Sequence, residues 1–94
     1  MTEQIKRLEI ELEITNSLGL HARPASMFVQ LASSFDSEIL VEKDGEQVSA
    51  KSLMGLLMLA AGCGTVIKVL IQGPDSDSAM EAVTKLINSK FNEE

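Results

Sequence analysis

The chain has 94 residues and a formal net charge of −6, with 45% of its residues hydrophobic, which supports one core in one domain over residues 1–94 and no more. The acidic surplus, with three Phe and neither Trp nor Tyr, argues against gripping a phosphate backbone or stacking bases, so no nucleic-acid partner is expected. The lone cysteine, Cys63, excludes an internal disulfide and a multi-thiolate zinc site.

The opening stretch, MTEQIKRLEIELEI, carries charge throughout and has no apolar segment followed by a small-residue cleavage site. No secretory leader is expected. From Leu8 to Ile14 apolar residues and glutamates alternate strictly, the pattern of a strand with one dry and one wet face. Asn16 to Leu20, with Gly19, reads as a loop. Ala25, Phe28, Val29, Ala32 and Phe35 then recur at helical spacing, and Pro24 suits the first turn of a helix that begins just after His21. Glu38 to Lys43 reads as a strand, Asp44-Gly45 as a tight hairpin turn, and Gln47 to Ala50 as the return strand. Ser52 is a natural N-cap for a short helix over Leu53 to Met58.

The longest apolar run, Leu53 to Ala61, is broken by Gly55 and falls far short of the ~20 residues of a membrane span. A cytoplasmic chain without membrane insertion is expected. Gly62-Cys63-Gly64 is a turn, and the β-branched run Thr65 to Ile71 is a central strand. Asp75 is placed to cap a last helix whose apolar face is Ala79, Ala82, Val83, Leu86 and Ile87, and Asn92-Glu93-Glu94 reads as a frayed tail.

The order β-α-β-β-α-β-α predicts an α+β fold. It is a two-layer, open-faced β-sandwich with three helices on one face of the sheet. A right-handed crossover through the first helix sets the first two strands parallel. The fourth strand fits between them, antiparallel to both, giving an antiparallel sheet in the order 1-4-2-3.

One constellation carries chemistry. His21, the only histidine, stands where loop becomes helix, with Arg23 two residues on. A helix N-terminus offers unpaired N–H groups and partial positive charge, a ready phosphate site, and a guanidinium adds a fork of donors. Neutral imidazole is a nucleophile that can attack phosphorus there. By position alone, a histidine ahead of a helix is most often a capping or surface residue. It has no second ligand to complete a metal site, and no G-x-S-x-G elbow supports a hydrolase.

Leu18-Gly19-Leu20-His21-Ala22-Arg23-Pro24-Ala25 resembles the active-site signature of the HPr family, the histidine-containing phosphocarriers of the bacterial phosphoenolpyruvate-dependent sugar phosphotransferase system. Lys51-Ser52-Leu53-Met54-Gly55-Leu56-Leu57 is similar to that family's second motif, its regulatory serine region, and the two motifs have the family's separation. The resemblance covers roughly Leu8 to Phe91 and leaves residues 1–7 as an N-terminal extension. It implies that His21 takes phosphate on Nδ1 from phosphorylated enzyme I, that Arg23 stabilises it, and that a histidine of an enzyme II A-component receives it. It implies a monomeric carrier with no cofactor and no metal, and not an enzyme that turns over small molecules.

The same resemblance implies a docking patch of Leu20, Leu53, Met54 and Leu57. Helical spacing alone groups Leu53 with Leu56 and Leu57, and Met54 with Met58, so that one set faces out. Ser52 is an N-cap by chemistry and, by resemblance, also a target of HPr kinase/phosphorylase. Two alternatives stay open: an NPr-like carrier of the nitrogen-regulatory branch, and a binding module whose histidine is unused.

Overall fold

The computed structural model describes residues 7–93. Alternation along β1 (Arg7–Glu13) alternates with exposure: Glu9, Glu11 and Glu13 face solvent, while Leu12 and, just beyond the strand, Ile14 are buried. The α1 helix (Ala22–Ser33) buries Ala25, Phe28 and Ala32. Strands β2 (Glu38–Lys43) and β3 (Glu46–Ser49) form a hairpin through Asp44 and Gly45, both with positive φ (53° and 84°). That pair of angles belongs to the hairpin turn whose twist matches its strands. The α2 helix (Leu53–Met58), β4 (Val66–Gln72) and α3 (Ser76–Asn88) follow, and a tight turn spans Lys90–Asn92.

The sheet order is β1-β4-β2-β3, antiparallel at every pairing. The predicted architecture is the observed one. β4 lies centrally because its run of apolar residues buries Ile67, Val69 and Ile71 under the helices. On the outer face the register sets Lys68 opposite both Glu11 and Glu42, so a cation stands between two carboxylates across neighbouring strands. Leu70 also belongs to that face, opposite Leu40, yet is only 5% exposed. The outer face is therefore not uniformly wet. Among the described residues no helix is long and apolar enough to cross a membrane.

Three expectations need correction. Arg7 is the first residue of β1, not part of an extension; residues 1–6 lie outside the described residues. Asn92 and Glu93 do not fray. Phe91 is buried at 1% exposure, its ring 6.3 Å from that of Phe28, and this anchor holds the residues that follow; Glu94 lies outside the described residues.

Asp75 holds the N-cap position of α3 without a side-chain capping bond. Its carboxylate instead accepts the N–H groups of Asp36 and Ser37, each at 2.9 Å, and the Ser37 hydroxyl at 2.5 Å. The reason is burial. Ser37 is fully buried, and Gly73 comes so close that a Cβ there would lie 2.6 Å from Ser37 Cα, so the serine's donors need an acceptor from the same loop.

These bonds, the Ser37 hydroxyl first and the Asp36 N–H second, hold the Asp75 carboxyl below its ordinary value of 3.8. A carboxylate favoured by folding stabilises the native state above its unfolded value, and the benefit is lost as pH falls through the lower folded-state value. Asp75→Asn removes that anion. Urea denaturation is expected to show wild type more stable than Asp75→Asn at pH above 3.8, with the gap narrowing in acid. A gap that does not change with pH rejects this role.

Candidate functional site

The loop from β1 to α1 is bonded to the segment ahead of β4. Ile14 N–H donates to Thr65 O at 2.8 Å, Gly64 N–H to Ile14 O at 2.7 Å, and Leu20 N–H to Ala61 O at 2.8 Å. Gly19, with φ +70°, passes so close that a Cβ would stand 2.6 Å from Ala61 O; glycine alone meets both the angle and the space. The chain leaves the loop extended at His21 (φ −82°, ψ −169°), whose carbonyl accepts the Ala25 N–H at 2.9 Å. α1 therefore starts at Ala22.

Ala22 and Arg23 head the helix with N–H groups that have no partner within it, and Pro24 lacks the donor that would be idle there. No acidic side chain occupies this first turn. The end of α1 thus presents donors and the positive pole of a twelve-residue helix with no acidic side chain of its own first turn competing for them.

His21 occupies the cap position but makes no side-chain capping bond. Its ring, 36% exposed, lies against Glu93. Nε2 is 3.1 Å from Oε2 and 3.4 Å from Oε1 of that carboxylate. Oε1 also accepts from Asn16 Nδ2 at 3.0 Å, and the same nitrogen donates to Gly19 O at 2.6 Å. Asn16 is fully buried, and its Oδ1 has no hydrogen-bond partner among the described residues. Nor, among those residues, does Nδ1 of His21. Arg23 is exposed and shares with Ser17, Leu18 and Glu93 the lining of a recess of about 510 Å³.

Ser52 caps α2: its hydroxyl accepts the Gly55 N–H at 3.0 Å, an interaction that stabilises by about 1 kcal/mol. Six residues cannot sustain a helix alone. This one is held by that cap and by Leu56, which is fully buried. Gly55 keeps the start of the helix close to β3, since a Cβ would lie 3.1 Å from Val48 Cβ. The outward set is Met54 (65% exposed) and Met58 (68%), with Leu53 at 43% and Leu57 half-buried. α2 packs against α1 in one helix layer.

Leu20 departs from the expected patch. It is 4% exposed because its N–H bond to Ala61 turns it into the core. The exposed apolar residue of this loop is Leu18, at 72%. Two residues at the site, Asn16 and Glu93, escaped sequence reasoning. They lie 77 positions apart, and no periodicity links such positions. The one available signal was Phe91, an aromatic standing directly before the residues expected to fray. Among the described residues no group of His, Cys, Asp and Glu is placed to hold a metal ion.

The family model described as "PTS HPr component phosphorylation site" matches residues 8–89. A protein of Neisseria meningitidis serogroup A named "Phosphocarrier protein HPr" is 51% identical over 86 residues, covering 92% of this chain and 97% of that one. One of Shewanella violacea named "Phosphocarrier protein NPr" is 45% identical over 87 residues, covering 93% and 96%. Among solved structures, HPr-C-His from Thermoanaerobacter tengcongensis superimposes with a TM-score of 0.90 at 50% identity, covering 93% of this chain and 98% of that one.

Proposed function

Since the chain belongs to the HPr family of phosphotransferase-system phosphocarriers, whose members exchange phosphoryl groups with enzyme I and enzyme II components, we propose that it carries its phosphoryl group on Nδ1 of His21. The observation that carries this reading is the ring's two-sided environment. Nε2 is engaged by Glu93, while Nδ1 has no partner among the described residues, at the positive end of α1. The Nδ1 lone pair attacks phosphorus on the donor's phosphohistidine. The donor's P–N bond breaks, and its electron pair returns to the donor ring. The phosphoryl oxygens then meet the Ala22 and Arg23 N–H groups and the Arg23 guanidinium. Onward transfer to the enzyme II A-component repeats the step in reverse. The labile P–N bond suits a relay.

Mixing the chain with enzyme I, phosphoenolpyruvate and Mg²⁺ and weighing it under native conditions tests this. Wild type is expected to gain one phosphoryl group as a monomer, and His21→Ala none. Phosphate retained by His21→Ala places the site elsewhere, and an unmodified wild type removes the carrier reading.

Leu53, Met54 and Leu57, with Leu18 in the place expected for Leu20, form the docking surface in this proposal. Methionine adapts to several partners, and exposed apolar side chains of this size on a short helix mark an interaction site. Met54→Glu is expected to keep the wild-type unfolding midpoint and to slow phosphorylation by enzyme I by roughly tenfold, since a buried charge in the encounter costs more than a rim contact. An unchanged rate in the folded variant excludes Met54 from the interface.

Ser52 carries a second proposal, phosphorylation by an HPr kinase/phosphorylase. It is half-buried at the N-terminus of α2, where added negative charge is locally tolerated but stands on the docking surface and disfavours acidic partners. Kinase and ATP are expected to label wild type and not Ser52→Ala; label that survives the substitution eliminates this site.

A further inference from the structure

The end of the chain is bent in an unusual way. Lys90, Phe91 and Asn92 have φ of 59°, 55° and 59°, three successive side-chain-bearing residues in the left-handed region. Such angles persist only where surrounding structure compels them, and they gather at functional sites. Here the compulsion is Phe91, sealed against Phe28. What the bend delivers is Glu93, set on Nε2 of His21. A polar residue buried in the β1–α1 loop, Asn16, donates from Nδ2 to Oε1 of the carboxylate while the same nitrogen also grips Gly19 O. Asn16, Glu93 and His21 therefore form a chain of hydrogen bonds that starts in the core and ends on the imidazole.

We infer that Glu93, held by Asn16, is a positioning residue for phosphoryl transfer, an inference that rests on the reading of His21 Nδ1 as the acceptor. A carboxylate accepts only from a protonated nitrogen, so Glu93 selects the tautomer with hydrogen on Nε2. The lone pair is then on Nδ1, the nitrogen that must attack. As Nδ1 bonds to phosphorus the ring becomes cationic, Nε2 keeps its proton, and no proton moves in the transfer. The developing charge is stabilised by the carboxylate, as the buried carboxylate of a Ser-His-Asp triad stabilises its imidazolium. The other charged group at the recess, Arg23, attracts the phosphoryl oxygens and cannot replace Glu93, because a cation disfavours a cationic ring. The strained turn makes this support available without any residue of the β1–α1 loop or of the first turn of α1 having to be acidic.

The test combines nitrogen NMR of the imidazole with the rate of phosphorylation by enzyme I. Wild type is expected to show the Nε2–H tautomer as the dominant neutral form. Glu93→Ala is expected to shift the population towards Nδ1–H and to slow phosphorylation about tenfold, the scale of one charge-assisted hydrogen bond. Glu93→Gln is expected to keep the Nε2–H tautomer, since its amide oxygen still accepts, while restoring only part of the rate. A purely structural role for Glu93 predicts no change of tautomer. A wild type dominated by Nδ1–H, or a folded Glu93→Ala with wild-type rate and tautomer, overturns the inference while leaving His21 as acceptor. A wild type that takes no phosphate on His21 overturns both readings together.

Discussion

The structure depends on keeping the N-terminus of α1 open at the surface while everything that leads into it is tied down. Helix ends attract anions through unpaired N–H groups, and any acidic side chain or capping hydroxyl placed there would satisfy them first. This chain leaves the end uncapped. It obtains rigidity instead from backbone bonds between the β1–α1 loop and the segment before β4, and from the approach of Gly19 to Ala61. An uncapped helix terminus costs stability, and the fully buried residues Phe28, Leu56, Ile67 and Val69 offset it.

A second consequence follows from that economy of capping. The two other helix starts use polar side chains in different ways. Ser52 caps α2 directly, because a six-residue helix has little else to hold it. Asp75 heads a thirteen-residue helix that packs well through Ala79, Val83 and Ile87, and its carboxylate goes to the buried Ser37. Short helices need their caps; long, well-packed ones release theirs for other duties. The histidine at the third start makes no capping bond, and its ring meets Glu93 instead.

Local patterns in the chain proved legible where one element answers to one periodicity. The Leu8–Ile14 alternation, the Asp44-Gly45 turn, the grouping of Met54 with Met58 on α2 and the central strand expected over Thr65 to Ile71 all follow from side-chain spacing against a single packing surface. Leu20 and Asp75 misled because each faces two competing demands. A backbone bond to Ala61 decides which way Leu20 turns, and a buried serine from another loop decides what Asp75 binds. Glu93 misled for a related reason. A charged residue near a chain end is ordinarily solvated, and only the burial of Phe91 makes it otherwise.

By itself the sequence determined the α+β class and the sheet order, and it singled out the candidate site. Alternation, helical spacing and a histidine before Ala22-Arg23-Pro24 are encoded within a few neighbouring residues. Tertiary structure alone decided which nitrogen of His21 is engaged, which apolar side chains of the loop face out, and where the final residues lie. Those outcomes are set by contacts between segments tens of residues apart. Contacts of that range are formed by packing, and packing has no period to be read along the chain.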